Sequence, residues 1–143
     1  MKFTLILDKN RDEEIIIYAR EKNELVSKIE KLTEESPPDL TGYRDKVGVI
    51  LNPDEIYCFI AQGNKVYAVT EKEKLQMKIR LYKIEEYELD SFVKINQSCI
   101  ANLNKIARFD TSVSGTLKVV FKNGYTDYVS RRNLKNVKER LGI

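Results

Sequence analysis

The 143-residue chain contains no histidine. That absence excludes Ser-His and Cys-His nucleophilic dyads, imidazole general-base chemistry and most zinc sites. Cysteine is scarce as well. Cys58 and Cys99 are too few for a thiolate metal site, and both lie inside apolar strand patterns. They are expected as reduced core thiols of a cytosolic protein. The six glycines stand singly, as turn formers do, and build neither a Walker-type nor a G-x-G-x-x-G phosphate loop. No apolar run approaches the roughly 18 residues of a membrane span. The opening MKFTLILDKN has no small-residue cleavage site, so it makes a poor secretory signal. Carboxylate pairs are present at Glu34-Glu35, Glu71–Glu73 and Glu85-Glu86, but they fall on expected helix or turn faces, where solvation is their ordinary role. The expectation is therefore no enzyme, no cofactor, no metal and no small-molecule substrate, in a cytoplasmic protein.

What is present describes an ordinary globular chain: 42% apolar and 33% charged residues, long enough for one core plus a small appendage. Its formal charge of +3 hides an asymmetry. Residues 92–143 hold ten Lys/Arg against three Asp/Glu, a net of +7, while residues 1–91 hold fifteen against nineteen, a net of −4. A basic final third behind an acidic front suggests a face for a polyanion.

Along the chain, Phe3, Leu5 and Leu7 alternate with Lys2, Thr4 and Ile6, and EIIIYA follows a charged turn; both stretches predict strands. Leu25, Val26, Ile29 and Leu32 recur at helical spacing over residues 22–35. Ser36-Pro37-Pro38 stops that helix, and PPDLTGYRD has the composition of a linker. The organisation expected is a small strand/helix segment over residues 1–45, which packs on the rest or on a second copy of itself, and a domain over residues 46–143. KVGVILN and EIYCFIAQGNKVYAVT predict strands, with Gln62-Gly63-Asn64 at a hairpin turn. Leu75, Met77 and Ile79 alternate in another strand, and RLYKIEEYEL predicts a short helix. KIARFDTSVSGTLKVVFKNGYTDYVS predicts three strands joined at Ser114-Gly115 and Asn123-Gly124. RRNLKNVKERL closes the chain as a helix with Ser130 as N-cap.

Three elements gather the polar chemistry. SFVKINQSCIANLNKI sets Lys94, Asn96, Gln97, Ser98, Asn102 and Asn104 among strand-forming apolar residues. VSRRNLK puts Ser130, Arg131 and Arg132 at a strand–helix junction, with Arg131, Lys135 and Lys138 on one helix face. The QGNK hairpin at 62–65 is a polar tip with a cation. Cations, hydroxyls and amide donors hold phosphates, while forked Arg, Asn or Gln groups match the paired edge atoms of bases. Two readings stay open for several of these residues. Asn102 and Asn104 either close a turn or are held outward, and Ser130 caps a helix, holds a phosphate, or does both.

FVKINQSCIANLNKIARF followed by FKNGYTDYVSRRNLKNVKERL resembles the signature of the LytTR family of bacterial DNA-binding domains. That signature runs as F-x-R-I-x-x-S-x-I-V-N-L-x-x-I, an NG hairpin, then V-S-R-R-x-x-K-x-L-K. Phe92, Ile95, Ser98, Ile100, Asn102, Leu103, Ile106, Asn123, Gly124, Val129, Ser130, Arg131, Arg132, Lys135 and Lys138 match it in type, and the similarity covers about residues 46–143. The front piece, with its TGYRD stretch, resembles that of stand-alone family members.

The resemblance implies a mainly β fold with short helices, in elongated stacked antiparallel sheets, plus a small α+β N-terminal segment. It implies a sequence-specific transcriptional regulator that binds duplex DNA as a homodimer, with loops entering successive major grooves. By position, base contacts fall on Asn64, Lys65, Gln97 and Arg132. Phosphate contacts fall on Lys94, Ser98, Asn102, Ser130, Arg131 and Lys135. Lys94 stands where Arg is usual, keeping charge without the fork. Asn96-Gln97 departs from the common His or Ser followed by Arg or Lys. About 45 front residues cannot hold a receiver domain, so phosphorylation control within the chain is not expected. A small membrane protein that restrains the regulator is a partner implied by resemblance only. The rival readings are a protein-interaction module whose basic face docks an acidic partner, and an RNA binder, for which Tyr125 and Tyr128 are the only nearby aromatics.

Overall fold

The computed structural model describes residues 2–33, 40–111 and 116–143. The chain divides into two units, Met1–Ser36 and Pro37–Ile143. The expected helix stop at Ser36-Pro37-Pro38 and the expected turn at Ser114-Gly115 lie outside the described residues.

Among its described residues the front unit contains one helix, α1 (Glu24–Thr33), with the Asn23 side chain accepting from the Val26 N–H at 2.9 Å as its N-cap. None of its residues is buried. The strands expected over 2–7 and 14–19 are not formed; residues 2–23 contain neither helix nor strand. A strand needs a neighbour to satisfy its backbone groups, and the described residues of this unit supply no ladder. Phe3 (87% exposed), Leu7 (88%) and Tyr18 (95%) consequently meet solvent.

The second unit is mainly β, in two stacked antiparallel sheets with short helices. Seven strands are β1 (Leu40–Arg44), β2 (Val47–Leu51), β3 (Cys58–Gln62), β4 (Lys65–Val69), β5 (Lys74–Met77), β6 (Phe92–Asn96) and β7 (Cys99–Asn102). They form one sheet in the order β2-β1-β5-β4-β3-β7-β6. Three more, β8 (Ile106–Asp110), β9 (Leu117–Phe121) and β10 (Thr126–Val129), form a second sheet in the order β10-β9-β8. Between β5 and β6 lies α2 (Leu81–Glu86), and the chain ends in α3 (Arg131–Leu141).

The stretch expected as a linker instead supplies β1. Its inward positions are Leu40 and Gly42, and a Cβ on Gly42 would stand 2.7 Å from Leu75 Cβ on the neighbouring β5. Because glycine fills an inward position, the strand lacks the apolar alternation by which strands are read.

Alternation within the central strands feeds two cores. Cys58 and Ile60 of β3, Val93 and Ile95 of β6, and Cys99 and Ala101 of β7 pack with Leu117, Val119, Phe121 and Val129 of the second sheet and Val137 of α3. Phe59, Phe92 and Ile100 point the other way, joining Leu40, Leu75 and Met77 beneath Ile84 of α2. A sheet covered on both faces explains why these strands read as near-continuous apolar runs. The thiols fit this account: Cys58 and Cys99 are free and buried, and the Cys99 thiol has its pKa raised by a side-chain hydrogen bond with Cys58 and by desolvation.

Candidate nucleic-acid interface

The hairpin tips and the start of α3 carry the polar residues singled out by sequence. β3 and β4 pair with Gln62 opposite Lys65, leaving Gly63-Asn64 as a two-residue turn in which Gly63 takes a φ of 62°. That left-handed value at the first loop position is the reason glycine stands there. Asn64 and Lys65 are exposed at this tip.

β6 and β7 pair with Asn96 opposite Cys99, so Gln97-Ser98 forms a second two-residue turn, preceded by a bulge between Lys94 and Asn96. Three sets of bonds fix it. The Ala61 N–H donates to the Ser98 carbonyl at 2.8 Å, tying the turn to the end of β3. The Ser98 N–H donates to Asn96 Oδ1 at 2.8 Å, closing the turn from within. On its other side, Asn96 Nδ2 donates to Asp127 Oδ1 at 3.0 Å and to the Tyr128 carbonyl at 2.8 Å. Gln97 and Ser98 remain exposed.

The third element is the β10–α3 junction. The Ser130 N–H donates to the Ile95 carbonyl at 2.8 Å, so the junction is bonded to β6 directly. Ser130 stands at the N-cap position in extended conformation, yet its hydroxyl makes no cap bond to the backbone and accepts instead from Asn133 Nδ2 at 2.7 Å. Val137 fixes the helix on the core, and Arg131, Arg132, Lys135 and Lys138 are exposed. The Gln97 turn is thus bonded to β3 on one flank and, through Asn96, to β10 just before α3 on the other.

Two phosphate-contact expectations meet different surroundings. Asn102 is corrected: it is 2% exposed and inward. Its Nδ2 donates to the Ile56 carbonyl at 2.9 Å, and its Oδ1 accepts from the Asn104 N–H at 3.0 Å. A buried amide so engaged presents nothing to a phosphate, so of the two readings left open the turn-closing one holds. Lys94 reaches toward α2, where its Nζ lies 3.7 Å from Glu85 Oε2, and its side chain is 35% exposed. Its charge is shared with that carboxylate.

Other contributors were not singled out by sequence. Lys78 and Arg80 border, with Asn64, Lys65 and Gln76, a recess of about 310 Å³ beside the first tip. In sequence they read as an outward strand residue and a helix start; only the register Val66↔Met77 brings them to the hairpin. Asn123, which the sequence marks as a hairpin residue, is half-buried and donates to the Thr70 carbonyl at 3.1 Å. Asp127 sits within the basic third, and its charge, after desolvation, helps push the Tyr125 phenol up to about 12.

The fold and these turns define a β-scaffold that presents loop tips, and comparison with known proteins agrees. Residues 47–142 match the model of the LytTr DNA-binding domain. The chain is similar over its whole length, at 32% identity, to uncharacterized HTH-type transcriptional regulators of Staphylococcus aureus strains COL and MRSA252, covering 99% of each. A solved LytTr DNA-binding domain from Bacillus cereus superposes with a TM-score of 0.69 at 22% identity, over 73% of this chain and 97% of that one. The chain belongs to the LytTR DNA-binding domain family, which is a family of DNA-binding domains and not of enzymes. Although those relatives are named HTH-type regulators, the described residues of this chain contain no pair of helices joined by a turn. No helix among them is long and apolar enough to cross a membrane.

Proposed function

We propose that the protein is a sequence-specific transcriptional regulator whose three loop elements enter successive major grooves of duplex DNA. The observation that carries this reading is the bonding of the Gln97-Ser98 turn to Ala61 on one side and to the Tyr128–Ser130 junction on the other. That bonding supports a row of tips along one edge, with an amide or forked cation at each: Asn64 and Lys65, Gln97, and Arg132. Base edges are read by such groups, and phosphates by cations and hydroxyls around them. Ser98, Arg131 and Lys135 are exposed for phosphate contact, and Ser130, whose oxygen is already an acceptor, keeps its own proton for a phosphate oxygen. Lys94 joins them once Glu85 releases it.

The reading extends to a homodimer formed through the front unit. Supporting it are the apolar side chains of residues 3–7 and 15–18, exposed in the single chain, and the neutral balance of residues 1–20, with four Lys/Arg against four Asp/Glu. Such a surface suits a second copy of itself better than a strongly charged partner. Duplex DNA as target implies a cytoplasmic site of action. A restraining small membrane protein enters by family likeness alone.

Fluorescence anisotropy on a duplex selected from a random pool, and on its scramble, tests the reading. Arg132→Ala is expected to cost about 1–3 kcal/mol on the selected duplex and little on the scramble, while Lys135→Ala weakens both alike. Equal losses on both for Arg132→Ala would remove its base-reading role. Preference for an RNA of the same sequence, or capture only by an acidic protein, would replace the DNA reading.

A further inference from the structure

We propose that Asn96 and Asp127 form a clamp that sets the position of the Gln97 turn relative to Arg132, and thereby determines base discrimination without either residue touching DNA. The inference rests on the DNA-binding reading above and concerns how that site is held.

Asn96 is next to Gln97, and an asparagine amide is suited to adenine. Its polar capacity is nevertheless spent inside the protein. Nδ2 donates to Asp127 Oδ1 and to the Tyr128 carbonyl, and Oδ1 accepts from the Ser98 N–H. An amide has two N–H donors, and both are occupied, so none is left for a base.

Asp127 makes the complementary case. It is one of only three acidic residues within 92–143, a segment of net charge +7. A carboxylate beside cations that hold phosphates lowers affinity for DNA through repulsion. What it does instead is join two sheets. The same Oδ1 accepts from Asn96, at the end of β6 in the seven-stranded sheet, and from the Tyr128 N–H at 2.8 Å, in β10 of the three-stranded sheet. Two residues beyond Tyr128, the Ser130 N–H bonds to Ile95, and Arg132 follows two residues later. The bonds therefore close a short ring through Ile95, Asn96, Asp127, Tyr128 and Ser130, from which Gln97 leaves on one strand and Arg132 on the other.

Base contacts require groups held within about 0.5 Å of their working positions. A two-residue turn and the first turn of a helix do not supply that constraint alone. The ring does, and its cost in repulsion is the reason to read Asp127 as a positioning residue.

The test uses the full-length protein, a duplex selected for it from a random pool, and that duplex scrambled; the readout is the ratio of the two Kd values. Asp127→Asn keeps an oxygen acceptor for Asn96 and Tyr128 and removes the charge. It is expected to tighten binding to both duplexes and leave the ratio unchanged. Asp127→Ala and Asn96→Ala are expected to lower the ratio by about tenfold, the size of one lost base contact. The double variant should be no lower than either single one, because both break one clamp. Should Asn96→Ala fail to fold, Asp127→Ala carries the comparison, since it leaves the bonds from Asn96 to Tyr128 and Ser98 in place.

Equal losses on both duplexes, as a loss of folded protein would give, would overturn the clamp; so would Asp127→Asn damaging the ratio as much as Asp127→Ala. A wild-type protein that prefers its selected duplex, with variants that keep the ratio, overturns the clamp alone. A wild-type protein that prefers no duplex overturns the DNA reading with it.

Discussion

Replacing Asn102 separates a structural role from a DNA-contact role at a position that matches the family signature. Asn102→Ala leaves the Ile56 carbonyl, which now accepts from Asn102 Nδ2 at 2.9 Å, without that donor in the interior. Stranding a buried polar group costs about 1–3 kcal/mol. The same change removes the oxygen that accepts from the Asn104 N–H and opens the 3-10 turn at Leu103–Lys105, a capping loss of about 1 kcal/mol. Together these predict a loss of about 2–4 kcal/mol in unfolding free energy, and a Tm lower by roughly 8–15 °C for a unit of this size. Asn102→Asp should be worse. It keeps the acceptor for Asn104 but sets a carboxylate against the Ile56 carbonyl oxygen at a position 2% exposed, and lowering the pH should recover part of the loss. The chain has no tryptophan, so urea unfolding is followed by far-ultraviolet circular dichroism. DNA affinity, measured well below the melting transition, should be unchanged for Asn102→Ala. A variant that melts like wild type but binds DNA several-fold more weakly would refute the argument and restore the phosphate role.

Gly42→Ala forces a Cβ to within 2.7 Å of Leu75 Cβ, and overpacking of this kind is expected to cost about 1–3 kcal/mol in urea unfolding; unchanged stability would mean that β1 shifts freely. Tyr125, with its phenol held up to about 12, stays protonated while the unfolded chain ionises near 10, so the unfolded state binds fewer protons across that interval. Its contribution to stability is therefore present below pH about 10 and is lost as pH rises toward 12, and absorbance titration of Tyr125→Phe against wild type should show the late-ionising phenol missing. Ile16→Lys in the front unit should convert the dimer to monomer in sedimentation equilibrium without changing the melting of the second unit; a wild-type protein that is already monomeric removes the dimer reading. The slope of log affinity against log salt should be about −2.7 for three phosphate-bound cations in one protomer and about twice that in a dimer, and a flat response would dismiss the polyanion face.

Much of the second unit was legible because its elements follow local rules. α3 occupies the RRNLKNVKERL stretch that the spacing of Leu134, Val137 and Leu141 marks out, and the β3–β4 hairpin turns at the glycine its sequence requires. β1 was not legible, because Gly42 occupies an inward position where periodicity looks for an apolar residue. The front strands misled for the converse reason: residues 3–7 and 15–18 have the composition of strands, but composition supplies no ladder partner. Within the site, Gln97, Ser98 and the α3 cations are exposed, as the motif suggested. Asn102 is where motif and geometry part. A buried amide that closes a turn and an exposed one that holds a phosphate leave the same letter in the sequence, and only burial separates them. Asp127, Lys78 and Arg80 were invisible for a related reason, as was the partner that Asn96 finds in Asp127, since each gains its meaning from a residue brought near by register or sheet stacking.

The distribution of bonding among these residues points to a division of labour. Arg131, Lys135 and Lys138 are exposed cations on one helix. Long side chains of this kind suit phosphates, which repeat along the duplex and tolerate small displacements, and they supply affinity that salt weakens. The Gln97 turn is the opposite case. Its backbone is bonded on both flanks and closed from within, so its side chain starts from a fixed point. Base edges repeat on the scale of a few ångströms and reward only groups held in place, which is what short, bonded turns provide and a flexible loop does not. On the proposed DNA reading, groups at the ends of bonded strands act beside Arg132 at the start of α3, in place of a recognition helix laid along the groove. In the proposed reading the constant part of the interaction resides in Arg131, Lys135 and Lys138 of α3, and the part that can change sequence preference resides in Arg132 and the tip residues, Gln97 first among them.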